Sequence, residues 1–258
     1  MLLALEMGGH NPLVVHGVKD LDRAAELIVV SAFISAGQRC TCARRLILTE
    51  SMDVSLLLDL VMKLMRSLRV GVDGEAGEVF MGPVISQQAG RQVLAAQESW
   101  RQRGAVPLIE AVPLEGCDAL LSPGLWDTTH MRPRDDEEVF GPLLQVIRVR
   151  DLAAAINEAN CTRYGLAASL LCDDPGLFYI FSQQVRAGVI NWNQPTTGAS
   201  GRLPLAAWAH QAIIAPAVFM RQITALMPWR RPSQRRCAAQ ACCKDAGRRT
   251  PREQRRHY

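Results

Sequence analysis

Apolar and polar positions follow two different periods along this 258-residue chain, and the switching between them predicts its elements. Short runs dense in branched apolar residues, at Asn11 to Val15, Arg45 to Leu48, Ala167 to Leu171 and Gly188 to Asn191, have the length and make-up of strands. Between the first two, Ala24, Leu27, Ile28 and Phe33 recur at near-helical intervals, which predicts a helix over Leu21 to Ala36, capped by Asp20 and stopped by Gly37. Ser51 is the expected cap of a second helix reaching about Leu68, ended by the turn Gly71 to Gly74. A third helix is expected over Ser86 to Arg103, then a strand over Val106 to Val112. Residues Glu115 to Pro133 give mixed signals. Val139 to Arg148 reads as a strand interrupted at Gly141-Pro142, and Asp151 to Asn160 and Gly176 to Val185 read as helices. Strands separated by helices predict an α/β fold with a largely parallel sheet, since parallel neighbours need a crossover between them.

Composition narrows the class. Hydrophobic residues make up 48 % of the chain and charged ones 21 %, the balance of a globular protein. No run approaches the roughly 20 apolar residues of a membrane span. The opening Met1 to Glu6 meets an acid at once and lacks a basic leader segment, so a cytoplasmic location is expected. Eight cysteines without a framework spacing are expected to be reduced thiols. The charge is uneven: residues 221–258 hold 11 of the 29 Lys and Arg but 2 of the 25 Asp and Glu. Such a tail is the footprint of a nucleic-acid-binding arm, yet after Trp229 only Tyr258 offers an aromatic ring for stacking.

Two short segments carry chemistry. Glu6 stands on a glycine turn, Leu5-Glu-Met-Gly-Gly9, and Cys40 closes Gly37-Gln-Arg-Cys40 after the first helix. A carboxylate and a thiol brought to one pocket supply a base and a nucleophile, as covalent thiol catalysis with an activated water requires. Arg39 and Arg44 place positive charge near Cys40, which favours thiolate. Cys42 suggests a metal pair, but no second Cys/His pair stands nearby at zinc spacing, so no metal site is expected.

These segments resemble the paired signatures of the aldehyde dehydrogenases, Glu-Leu-Gly-Gly and Gly-Gln-x-Cys, at the same separation. The resemblance implies that the Cys40 thiolate attacks an aldehyde, that the Cys40 N–H and an Asn side chain hold the oxyanion, that NAD takes the hydride, and that Glu6 activates the hydrolytic water. Glu138-Val-Phe-Gly-Pro142 is similar to the segment whose Glu accepts hydrogen bonds from the nicotinamide ribose. Glu138 and Phe140 are therefore the expected cofactor contacts, with a solvated acidic run (Asp135 to Glu138) as the competing reading. Asn191-Trp-Asn193 and Pro195 to Ala199 resemble the late loop lining the substrate pocket, with Trp192, Asn193 and Thr197 as candidates. Within the family, the runs Leu5 to Val14, Ser31 to Arg45, Phe80 to Ser86 and Asn191 to Ser200 are most similar to the dehydrogenases of N-succinylglutamate 5-semialdehyde in arginine catabolism, with His10 where Asn is expected. That substrate is an anionic small molecule, and Arg39 or Arg45 would bind a carboxylate bidentately. The family fold implies a homo-oligomer.

The resemblance covers residues 1–203, a catalytic-domain fragment. The Gly-rich dinucleotide-binding half that should precede Glu6, together with the oxyanion Asn, is not in this sequence, and the chain as given is expected to be inactive. After Ser200 the family pattern Pro-Phe-Gly-Gly-x-Gly-x-Ser-Gly-Asn-His-Arg-Pro is expected, whereas Pro204 to Pro216 reads differently. Plausible GC-rich codons for that run, read one nucleotide earlier, restore the pattern. Residues 204–258, with Cys237, Cys242 and Cys243, are therefore expected to be out-of-frame translation rather than an RNA- or DNA-binding arm. The alternatives are the same fold acting on another aldehyde, and a non-catalytic remnant that binds a partner subunit.

Overall fold

The computed structural model of the protein describes residues 8–72, 78–134 and 136–197. All of them lie in the first of the two units into which the chain divides, residues 1–214. Glu6 and the basic tail lie outside the described residues.

Seven strands form the main sheet. In chain order they are β1 (Asn11–Val15), β2 (Ala43–Thr49), β3 (Val106–Ile109), β6 (Gly124–Asp127), β7 (Leu143–Val149), β8 (Ala167–Leu171) and β9 (Val189–Trp192), while β4 (Pro113–Leu114) and β5 (Cys117–Leu121) make a separate ribbon. The order across the sheet is β3-β6-β7-β2-β1-β8-β9, with every pairing parallel except β3 with β6. The expected largely parallel α/β sheet is present. Leu13 lies beside Leu46 of β2 and Ser169 of β8 at the centre.

Strands buried on both faces read as continuous apolar runs, and β1, β2 and β8 are buried at every position. Alternate residues serve opposite faces. Leu13, Val15, Leu46, Leu48, Leu144 and Val146 pack under helices α1 (Leu21–Phe33) and α2 (Val54–Ser67). Val14, Ile47, Ile147, Ala168 and Leu170 face α4 (Leu152–Ala159) and α5 (Pro175–Gln184). Helix α3 (Gln87–Gln102) packs Val93 and Trp100 against Trp126 and Leu143 in a third cluster.

The structure redraws several boundaries. Asp20 caps α1 through the Arg23 N–H, but the helix ends at Phe33, and Ile34–Gly37 is a tight turn in which Ser35 and Ala36 take φ of 55° and 52°. Gly37 follows at φ 68°, and a side chain there would run into the Gly141 carbonyl, so glycine is required on both counts. Asp53, not Ser51, caps α2: its carboxylate accepts from the Leu56 N–H, while the Ser51 hydroxyl accepts from the Gly17 N–H. The strand expected over 139–148 begins only at Leu143, after Pro142, which cannot donate to a ladder, and the one expected over 106–112 ends at Ile109, beyond which the Gln97 side chain holds the Ala111 N–H and carbonyl.

Candidate active site

The segments Gly8–His10 and Arg39–Cys42 enter β1 and β2, which are adjacent and parallel, so both lie at the amino-terminal ends of the central strands. Residues 136–142 enter β7, the other neighbour of β2, at the same end. Ligands of open α/β sheets usually sit outside the carboxyl ends. Here the chemically equipped residues gather at the opposite end.

Cys40 occupies the turn between the α1 exit and β2 and is half-exposed, whereas Cys42 is fully buried. The turn is held from three directions. The Asn11 side chain donates to the carbonyls of Cys40 (2.7 Å) and Cys42 (2.8 Å), and its own oxygen accepts from Ala167 N–H. The Arg39 carbonyl accepts from the Cys42 N–H at 3.0 Å and from Arg44 Nη2 at 3.2 Å. Gly9 allows this closeness, since a Cβ there would run into the Cys40 carbonyl. Burial pushes the Cys42 thiol above its ordinary range, with Arg44 pulling the other way, so Cys42 is an inert core thiol.

Glu138 is bound into the same cluster. Its Oε2 accepts from the Gly9 N–H at 2.8 Å, and its Oε1 accepts from Arg44 Nε at 3.1 Å and Nη2 at 3.0 Å. The Arg44 and Glu138 side chains are only 2 % and 9 % exposed, so this is a buried ion pair. Burial raises the Glu138 carboxyl above its ordinary range, opposed by Arg44 and the Gly9 N–H. A carboxylate has about four acceptor positions. Three are taken, which leaves room for one further donor. Phe140 is exposed and carries the Arg44 guanidinium over its ring at 5.3 Å. The reading of this stretch as a solvated run is overturned at two positions: Glu138 is ion-paired with Arg44 and nearly shielded, and Asp136 accepts from the Arg163 N–H and the Thr162 hydroxyl.

Arg39 is exposed, with its Nε donating to the Ser35 hydroxyl, and its cation faces solvent beside Cys40. Arg45 is different and corrects an expectation. It is buried, and it donates to the carbonyls of His10, Glu158 and Ala159 at 2.8–3.0 Å, so its guanidinium is committed to holding loops together and cannot clamp a substrate carboxylate. Asn193 corrects another. Its side chain bonds both the N–H and the carbonyl of Cys172, at the carboxyl end of β8, away from Cys40. Trp192 stacks on Phe178 at 5.3 Å. The loop then turns back, with the Thr196 N–H donating to the Ser31 hydroxyl, and half-buried Thr197 is the last described residue.

His10 is buried against Tyr164, with ring centroids 6.2 Å apart. Burial, reinforced by Arg45, Arg44, Arg134 and Arg163, holds it well below the ordinary histidine range, so it is neutral near pH 7. Among the described residues no group of three His, Cys, Asp or Glu could hold a metal, and no helix is long and apolar enough to cross a membrane.

Sequence reasoning missed Asn11 and the full role of Arg44. The available signal was the pair Arg44-Arg45 inside an otherwise apolar strand. Successive strand residues point to opposite faces, so two buried cations there each need separate partners.

A fold of parallel strands with a cysteine turn and an Arg44–Glu138 ion pair at their amino ends defines a class. Residues 2–208 match the model of the aldehyde dehydrogenase family, and the chain belongs to that family. Two particular relatives are N-succinylglutamate 5-semialdehyde dehydrogenases. That of Caulobacter vibrioides is 53 % identical over 203 residues, which is 79 % of this chain and 43 % of the relative. That of Pseudomonas fluorescens is 48 % identical, over 79 % of this chain and 42 % of the relative. The chain thus spans less than half the length of these relatives. Among solved structures, 1-pyrroline-5-carboxylate dehydrogenase from Thermus with bound NAD is 33 % identical, with a TM-score of 0.72, over 79 % of this chain and 39 % of that one. An NADP-dependent glyceraldehyde-3-phosphate dehydrogenase from Bacillus halodurans, complexed with NADP, is 30 % identical, with a TM-score of 0.71, over 79 % of this chain and 42 % of that one.

Proposed function

We propose that this chain carries the nucleophile-bearing part of an NAD-dependent dehydrogenase that oxidises N-succinylglutamate 5-semialdehyde to N-succinylglutamate in the cytoplasm, within arginine catabolism, and that the complete enzyme is a homo-oligomer. The observation that carries the proposal is the turn Arg39–Cys42: a half-exposed thiol on a rigidly held turn, beside a buried carboxylate and an exposed aromatic ring. The two relatives reported above bear the name of that reaction.

The Cys40 sulfur attacks the aldehyde carbon, a C–S bond forms, and the carbonyl oxygen becomes an oxyanion accepting from the Cys40 N–H. When bound, NAD supplies the hydride acceptor that turns this adduct into a thioester. The residues fit its nicotinamide end: Phe140 presents an exposed ring face, and Glu138 has one acceptor position left for a ribose hydroxyl. Glu6 takes a proton from the water that attacks the thioester, releasing the acid and the Cys40 thiol. Arg39, the exposed cation beside Cys40, draws in a substrate carboxylate, and Thr197 lines the approach.

The test is a chimera in which the 203 matched residues of this chain replace their counterpart in the Caulobacter vibrioides relative. It should reduce NAD with N-succinylglutamate 5-semialdehyde, and Cys40→Ser should abolish the rate. Full activity in Cys40→Ser would refute the assignment.

A further inference from the structure

Arg44 is buried, yet its guanidinium reaches a backbone carbonyl of the cysteine turn. Nη2 donates to the Arg39 oxygen at 3.2 Å, and that oxygen belongs to the peptide unit joining Arg39 to Cys40. A trans peptide is planar and its C=O and N–H point in opposite directions. Whatever fixes the Arg39 carbonyl therefore fixes the direction of the Cys40 N–H. That N–H has no acceptor among the described residues.

We propose that Arg44 is the positioning residue of this site: held by Glu138, it sets the plane of the Arg39–Cys40 peptide and so aims the Cys40 N–H at the oxyanion that forms on acylation of Cys40. The proposal rests on Cys40 being the nucleophile. Two further observations and one general effect support it. The guanidinium is clamped, with Nε and Nη2 both on Glu138 Oε1 and the Phe140 ring against its face. The Arg39 carbonyl is gripped on another side by the Cys42 N–H, so the peptide is pinned from two directions. A cation bonded to a carbonyl also polarises the peptide, which strengthens the N–H at its other end as a donor.

The experiment uses the 258-residue chain with two probes that differ in one respect. p-Nitrophenyl acetate acylates a thiolate through a tetrahedral oxyanion: a C–S bond forms, the ester C–O bond breaks, p-nitrophenolate leaves, and the thiol proton goes to solvent. Iodoacetamide alkylates the same thiolate by displacing iodide, with no oxyanion. Both are followed at Cys40 by peptide mapping, with protection of buried Cys42 and Cys172 reporting an intact fold. Arg44→Met should slow acylation of Cys40 about tenfold, below the loss for removing an oxyanion donor outright, and change alkylation by less than about twofold. Arg44→Lys, which keeps the cation without the fork, should recover part of the acylation rate. Equal losses with both probes, or no loss of acylation, would overturn the role of Arg44. If Arg44→Met exposes Cys42, Arg44→Lys alone decides, and unchanged acylation relative to alkylation then overturns the proposal. Acylation of Cys40 in the unaltered chain no faster than that of half-exposed Cys117 would instead refute the nucleophile assignment itself.

Discussion

The amide of Asn11 donates to the carbonyl of Cys40 at 2.7 Å, joining the first residue of β1 to the turn that precedes β2. The same amide reaches the Cys42 carbonyl and receives the Ala167 N–H, so one side chain ties the amino ends of three neighbouring strands. Removing it takes a partner from the carbonyls of Cys40 and Cys42 and from the Ala167 N–H, the last two of them buried.

Asn11→Ala should therefore destabilise the folded unit by roughly 2–4 kcal/mol, the range for several orphaned buried polar groups. Urea unfolding followed by circular dichroism measures it, and Cys42 should become labelled by iodoacetamide at lower urea than in the unaltered chain. A loss under about 0.5 kcal/mol, the scatter of neutral surface changes, would contradict this role.

Arg45 should behave as a structural residue. Arg45→Met abandons three backbone carbonyls, those of His10 and Ala159 in buried bonds, and is expected to cost about 3 kcal/mol or more. Where the chimera carrying this change folds, the KM for the aldehyde should move by less than about twofold. A KM rise of tenfold or more, equivalent to about 1.4 kcal/mol of lost substrate binding, would restore Arg45 as a substrate clamp. Arg39→Ala should give the reverse pattern, a raised KM with unchanged stability.

His10 gives the chain a pH dependence with a definite sign. Its folded pKa lies well below the unfolded value, so the unfolded chain binds more protons between the two. The stability this contributes is fully present above about pH 6.5, the unfolded value, and is lost as pH falls from there toward the folded pKa. His16 is also lowered by burial, against Asp151, and adds to the same window. His10→Asn removes only the His10 share. Melting temperatures from pH 5 to 7.5 should fall less steeply in His10→Asn than in the unaltered chain, and parallel curves would contradict the burial argument.

Much of this arrangement was legible in the sequence, and the misses have physical causes. β1 and β8 were read to the residue because a strand buried on both faces leaves a short run made almost wholly of apolar residues, interrupted only by Asn11 and Ser169, between turn residues. Helix α1 was read too long: Ile34 to Ala36 keep the apolar pattern, but Ser35 and Ala36 take left-handed backbone that composition does not reveal. Ser51 and Asp53 are equally good caps by residue type, and the choice fell to Asp53 because the Ser51 hydroxyl was claimed by the Gly17 N–H. At the site, local motifs singled out Cys40 and Glu138 as candidates. The pairing of Arg44 with Glu138 spans 94 positions and the commitment of Arg45 to the α4 end spans more than 100, and local pattern carries no trace of either. Asn193 was misplaced because a polar turn after a strand looks the same at either end of a sheet.

If Cys40 forms the covalent intermediate and Glu6 releases it, slowing the release should trap an acyl group on Cys40. The most direct measurement is mass spectrometry of the chimera carrying Glu6→Gln, quenched in acid after mixing with NAD and N-succinylglutamate 5-semialdehyde. The expected result is a burst of about one NADH per site, as when only deacylation is slowed, and a succinylglutamyl thioester on the peptide containing Cys40. An adduct on any other cysteine, or a burst without an adduct on Cys40, would contradict it.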